Sequence, residues 1–383
     1  MRHCLCLFVC MLLAACVTPQ PVPLPPAFLL RDELFAAPSE RIHAGDVFAL
    51  SEPMKRFLRI EIASLLRAKG SQDGLIHALY TKGQLKLDYD AAVTRNAAQA
   101  FDARTGNCLS LVIMTAAFAK ELGLQVRYQS AYFEETWSRS NDLLLRSGHI
   151  NVTLGSRIGE TRTNPFLSPM TIDFLPAEEI RGLRVREIPE ETVVAMYMNN
   201  RAAEALSQGR LDDAYAWARE AIRQSPGYLS SYNTLGIVYA RGGDPQLAAS
   251  VFEHVLERES DNTRAMSNLA GVLARLGHAD ASGAIYRKLA QIEPHPPFHF
   301  FELGQAAMKR DDFAAARDYF AREVARAGYY HEFHFWLGLA HFRLGEIEQA
   351  RKHLNHAHEN STTRNDRDLY AAKLAWLRER TQR

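Results

Sequence analysis

The chain divides into two folded parts, an α+β domain followed by an all-α solenoid of helix pairs. Three observations carry that division. Between Arg31 and Pro189, helical periodicity comes first and alternating, strand-like segments come after it, the order expected of an α+β domain. From Thr192 onward, small and large apolar residues recur every 34 residues, a period that belongs to stacked supersecondary units. The third observation is length with composition: 383 residues at 47% hydrophobic content suffice for two sizeable cores. The formal net charge of +1 gives no global signal for nucleic acid or an acidic polymer.

Residues 1–16 hold four of the five cysteines, Cys4, Cys6, Cys10 and Cys16. Arg2 and His3 precede an apolar run from Cys4 to Leu13, and Ala14 and Ala15 follow. That is the layout of a secretory signal, and the run is too short to span a bilayer. Leu13-Ala14-Ala15-Cys16 resembles the bacterial lipobox, which implies a lipidated Cys16 as the mature N-terminus. Val17 in place of an aspartate resembles lipoproteins sorted to the outer membrane. The implied location is the periplasmic side of the cell envelope. Val17 to Phe28, VTPQPVPLPPAF, is an extended spacer of ~3 Å per residue, so residues 17–30 form a tether. No later apolar run is long enough to cross a membrane.

The first domain, residues 31–189, opens with helical periodicity over Pro53 to Lys69, with Phe57, Ile60, Ile62, Leu65 and Leu66 on one side. Ser71 to Tyr80 is a second short helix and Tyr89 to Phe101 a third. Arg104-Thr105-Gly106-Asn107 makes a turn. The apolar segment Leu109 to Leu122 is a helix with Cys108 at its first turn, and Gly123 ends it. Gln125 to Phe133 alternates as a strand. Trp137 to Ser147 is polar and is expected to be a loop or lid. His149 to Leu154 forms a second strand and Met170 to Phe174 a third.

Cysteine usage draws attention to Cys108. After removal of the signal it is the one thiol left, so it cannot make an internal disulfide. At a helix N-terminus, unpaired N–H groups and the dipole favour thiolate, the nucleophilic form. The bland alternative is a small buried apolar residue. His149 and Asp173 complete a candidate triad if their strands are neighbours. Histidine would move the proton and the carboxylate would hold the histidine. A strand-end histidine and a turn-capping carboxylate are the ordinary alternatives. The backbone N–H of Cys108 would be one oxyanion donor.

Residues from Ala91 to Pro176 resemble the transglutaminase-like, papain-related cysteine hydrolases of bacteria. The matching marks are Gly106-Asn107-Cys108 opening an apolar helix, Glu121-Leu122-Gly123-Leu124 closing it, Gly148-His149 starting a strand, and Ile172-Asp173-Phe174-Leu175-Pro176. The resemblance implies Cys108 as nucleophile, His149 as base and Asp173 as orienting carboxylate. It departs at Asn151-Val152, where the family often has tryptophan shortly after the histidine. It departs again at Asp173-Phe174, where aspartate-proline is usual.

In the second part, Gly236, Gly304 and Gly338 share a register with Ala202 and Ala270. Leu235, Leu269, Leu303 and Leu337 precede them. Ala214, Ala248, Ala316 and Ala350 recur on the second helices, with Tyr239, Phe252, Tyr286 and Phe320 as bulk. This resembles the tetratricopeptide repeat, five units over residues 192–362, with residues 363–383 as a capping helix. Small residues let paired helices approach, and stacking buries what one unit alone cannot. Arg241, Arg275, Lys309 and Arg343 occupy one repeat position. They form a candidate partner-binding column, or else cations that offset helix dipoles. Eight histidines lie between His295 and His358. His353 and His356 are one turn apart but lack a carboxylate or cysteine at ligand spacing, so no metal or cofactor is assigned.

These features give two expectations. One is a lipid-anchored envelope cysteine hydrolase or acyltransferase acting on a peptide or isopeptide bond, with repeats that bind a protein partner or the substrate. The alternative is a non-catalytic envelope adaptor whose repeats scaffold a protein assembly.

Overall fold

The structure is a computed structural model that describes residues 25–80, 87–90, 93–132, 137–140, 143–146, 149–157, 168–174, 184–361 and 363–381. The expected helix over Pro53–Lys69 is broken. Helix α1 (Glu52–Arg56) runs into a π turn (Phe57–Glu61), and α2 (Ala63–Lys69) resumes after Ile62. The wider turn buries Phe57 and Leu58 together. Helix α3 (Ser71–Tyr80) follows as expected, then β1 (Asp88–Tyr89). Helix α4 spans only Ala97–Ala103, because Asn96 and Gln99 form a reciprocal capping box that starts it there. Strand β2 (Thr105–Gly106) pairs in parallel with β1 and delivers the chain to α5 (Cys108–Glu121).

After α5, Gly123 turns the chain with φ 73°. Strand β3 (Leu124–Tyr132) is followed by β4 (Trp137–Ser140) and β5 (Leu143–Arg146), β6 (His149–Arg157), β7 (Met170–Ile172) and β8 (Arg184–Ile188). Where a loop or lid was expected, β4 and β5 pair as a hairpin. Strand β8 was not anticipated, since its alternation is hidden by charged residues at 184, 186 and 187. The main sheet has the order β7-β6-β3-β8, antiparallel throughout. Helix α5 lies against β3 and β6. It is apolar on nearly all sides and buried from Cys108 to Ala119, as expected of a helix with cover all round.

The second part consists of helix pairs. These are α6 (Glu190–Ser207) with α7 (Leu211–Gln224), α8 (Leu229–Arg241) with α9 (Pro245–Arg258), and α10 (Thr263–Arg275) with α11 (Ala279–Ile292). Then come α12 (His299–Lys309) with α13 (Phe313–Arg326), α14 (His331–Arg343) with α15 (Ile347–Glu359), and the closing helix α16 (Arg364–Thr381). Within pairs the 34-residue pattern has a plain cause. A Cβ on Gly236 or Gly304 would stand 2.5 Å from the ring of Phe252 or Phe320. Only glycine lets those helices approach so closely.

A segment from the start of the described chain runs across the first repeats. The turn Ala27–Leu29 lies against α9. Tyr239 Oη donates to Leu29 O at 2.7 Å and accepts from Arg31 N at 3.2 Å. Phe35 stacks on Tyr215, centroids 4.0 Å apart and planes 6° apart. Asp32 accepts from Tyr215 Oη at 2.7 Å and from Arg219 at 2.8 Å. The Arg219 and Tyr215 bonds hold that carboxyl below its usual range. Asp213 accepts from Ser39 N at 2.6 Å, and Glu40 accepts from Trp217 Nε1 at 2.9 Å. Farther along, Glu204 of α6 accepts from Thr94 N at 2.7 Å and from Arg201 at 2.7 Å. Burial nonetheless pushes its carboxyl above the ordinary value. One core accordingly runs from Leu29 through the α5 helix to Val272 of α10.

That core stops inside the third pair. Helices α9 and α10 pack together, as do α13 and α14, but α11 and α12 make at most slight contact. Leu235, Leu269 and Leu337 are at most 4% exposed, whereas Leu303 in the same register is 37% exposed. Phe252 and Phe320 are at most 1% exposed, whereas Tyr286 between them is 47% exposed. The local sequence explains the break. Pro294, Pro296 and Pro297 crowd the connection, and a residue before proline is biased away from helix. Phe298 then sits in the left-handed region at φ 65°, so α12 starts at His299. A separate core resumes from Phe298.

Candidate functional site

The N-terminus of α5 is built by polar side chains. Asn107 caps it, its Oδ1 accepting from Ser110 N at 2.9 Å and Ser110 Oγ at 2.8 Å. Asn107 Nδ2 donates to Thr94 Oγ1 at 3.0 Å, and Ser110 Oγ accepts from Arg95 N at 2.8 Å. Gly106 is glycine because a Cβ there would lie 2.7 Å from Ser110 Cβ. Cys108 is therefore the first residue of a firmly capped helix, as the sequence implies. Its residue is only 7% exposed, and it takes part in no disulfide. A nucleophile needs a route for substrate, and this burial restricts one.

His149 opens β6, opposite Ala131 of β3. Asp173 follows β7 directly, and the β6–β7 register, Val152 opposite Ile172, carries it to Asn151. Asn151 Nδ2 donates to Asp173 Oδ2 at 3.3 Å. Asp173 thus stands beside the strand that His149 begins, two residues along from it. The side chain of His149 lies outside the described residues. So does Cys16, with all of residues 1–24.

In the cation column, Arg241 Nη1 donates to Leu206 O at 3.0 Å and Arg275 Nη1 to Ala240 O at 3.3 Å. Each reaches a carbonyl in the last turn of the preceding pair's first helix, where a cation offsets the dipole. Arg343 instead donates to Asp311 at 3.2 Å and lies 4.1 Å from the Phe313 ring. Arg275 and Lys309, both exposed, end α10 and α12, the first helices of the pairs that meet at the broken junction. There Tyr286, Ile292 and Leu303 present exposed apolar surface. Sequence reasoning counted Tyr286 and Leu303 as core; the run of prolines after Ile292 was the signal that could have separated them. Among the described residues no helix is long and apolar enough to cross a membrane.

The sequence profile of the tetratricopeptide repeat matches residues 233–296 and 301–362. The chain carries tetratricopeptide repeats, and they form its all-helical part. No curated protein matches it. Among solved structures it is similar to PilF of Pseudomonas aeruginosa, at 18% identity over 50% of this chain and 87% of that one, TM-score 0.29. It is similar to TTC0263, a thermophilic TPR protein of Thermus thermophilus, at 14% identity over 47% and 99%, TM-score 0.29. It is also similar to YrrB, a TPR protein with an unusual peptide-binding site, at 19% identity over 47% and 92%, TM-score 0.25.

Proposed function

We propose that the protein is a cell-envelope adaptor, held to a membrane by lipid on Cys16 and a proline-rich tether, whose repeats bind a protein partner. The observation that carries the adaptor reading is the open junction between α11 and α12. Positions filled by a neighbouring helix elsewhere in the array are exposed there at Tyr286 and Leu303. Exposed apolar surface rimmed by polar groups marks an interaction site. An amphipathic helix would supply the missing contact, with acidic residues beside Arg275 and Lys309. Support for the anchor and envelope location comes from the lipobox-like Leu13-Ala14-Ala15-Cys16 and the prolines after it. Residues 31–189 serve, in this reading, as the folded base from which the repeats project.

The test is selection of displayed helical peptides on the full chain, repeated on a Tyr286→Ala, Leu303→Ala variant. Binders that lose tenfold or more in affinity on the variant support the reading. Binders indifferent to both substitutions, or no binders, refute it. A second reading is an amide-cleaving cysteine hydrolase, with Cys108 as nucleophile, His149 as base and Asp173 as its orienting carboxylate. It draws on Cys108 as first residue of a capped helix and on the Asn151–Asp173 bond. The burial of Cys108 weighs against it.

A further inference from the structure

Four histidines cross the last helix pair. His334 and His341 belong to α14, and His353 and His356 to α15. The ring of His353 stacks with two of the histidines of α14: centroids 5.3 Å and planes 22° from His334, and 5.4 Å and 1° from His341. His356 adds a ring 5.2 Å from His334. His334 Nδ1 and His353 Nδ1 are 3.1 Å apart, and His334 Nε2 lies 2.8 Å from Gly328 O. A carbonyl only accepts, so Nε2 of His334 carries the hydrogen and its Nδ1 is the acceptor. His353 Nδ1 is then the donor. That arrangement has room for one proton between the rings. A proton on His334 Nδ1 would set two N–H groups against each other.

The charges acting on His353 itself oppose a second proton on its ring. The groups acting on His353 are His334 and His341 from α14, and Lys352 and His356 from its own helix. All are cationic when charged. The two carboxylates at the cluster sit on its other members. Glu346 bonds His341 and Arg317 of α13, and Glu359 lies 3.5 Å from His356. From α16, Asp366 lies 3.9 Å from His331, and Tyr370 Oη is 2.8 Å from the same ring.

We propose that this line of imidazoles is an acid-sensitive latch, which keeps the last helix pair and its capping helix closed when neutral and releases them on acidification. Helix α16 covers Phe335 with Tyr370, centroids 5.0 Å apart, and Phe342 with Trp376, also 5.0 Å. Release would uncover apolar surface at the end of the array, where a cap is needed to keep it soluble. The direction follows from proton linkage. Burial and the neighbouring cations push His353 down to about 4, and burial lowers His334 as well. An opened chain takes up protons near 6.5, so stability is full above that value and is lost as pH falls toward 4. At pH 5, His353 alone makes opening about 30-fold easier than at pH 7.5.

The experiment is amide hydrogen exchange on the full chain at pH 7.5 and pH 5, corrected for the intrinsic rate, beside a His353→Gln variant. The expected result is a rise of about 30-fold or more in opening of α14 to α16, little change in α8, and a flattened response in the variant. Equal opening at both pH values, a uniform rise that includes α8, or an undiminished response in the variant overturns the proposal. Nuclear magnetic resonance titration of the wild-type histidines is the independent measurement. A His353 that titrates at or above 6.5 also overturns it.

Discussion

Replacing Phe252 and Tyr286 separately by alanine gives the sharpest test of how the array is packed. The two residues hold the same repeat position, one pair apart. The Phe252 ring is 1% exposed and fills the space that Gly236 leaves open, 2.5 Å from where a Cβ would stand. Deleting a buried phenylalanine costs about 3–5 kcal/mol, through lost transfer energy and the cavity left behind. Tyr286 is 47% exposed, so its deletion removes far less buried surface, opens no enclosed cavity and costs less than ~1 kcal/mol. Repeat arrays unfold through nearest-neighbour terms, so a global midpoint would blur the comparison. Exchange of backbone amides helix by helix is the suitable assay. Phe252→Ala should raise opening of α8 and α9 more than about a hundredfold, at roughly 1.4 kcal/mol per tenfold. Tyr286→Ala should leave α10 and α11 within about fivefold of wild type. Comparable losses from the two substitutions would mean that the third pair is sealed like the others, and the open junction would be wrong.

Two further outcomes are expected. Phe35→Ala removes the ring stacked on Tyr215, so limited proteolysis should cut within residues 29–40 several times faster while the repeats stay intact. An unchanged cleavage rate would mean that the polar contacts of Asp32, Ser39 and Glu40 hold the segment by themselves. For Cys108, burial predicts alkylation by iodoacetamide slower than that of the unfolded chain. A fast reaction that slows when His149 is replaced would instead favour the hydrolase reading.

The Cys108 helix was legible because its signals are local. Asn107 precedes an unbroken apolar run that Gly123 ends, and the helix spans Cys108–Glu121. Other boundaries were less accessible. The helical period over Pro53–Lys69 continues through the π turn, whose geometry comes from packing Phe57 beside Phe101 and Phe118, centroids 5.5 Å and 5.7 Å away. The β4–β5 hairpin was read as a loop because the polar run Ser138-Arg139-Ser140-Asn141-Asp142 outweighed Leu143-Leu144-Leu145. At the candidate triad, the sequence placed Asp173 within a third strand, Met170 to Phe174; the strand ends at Ile172, and only pairing of β7 with β6 brings Asp173 to Asn151.

By itself the sequence determined the repeat architecture. A 34-residue period needs only that each unit bury the same positions against the next, and those positions are written in order along the chain. It also determined the capped helix that begins at Cys108, since capping and termination act over a few residues. Tertiary structure alone decided the rest. Leu29 meets Tyr239 across 210 residues, so nothing local marks residues 29–40 as a strap on the repeats. The opening between α11 and α12 arises where the connection fails to seat one helix on the next, although Leu303 and Tyr286 keep the pattern of buried residues. His334 and His353 become neighbours only when two helices fold back on each other. Periodicity states which residues seek burial; whether a neighbour arrives to bury them depends on chain geometry far from those residues.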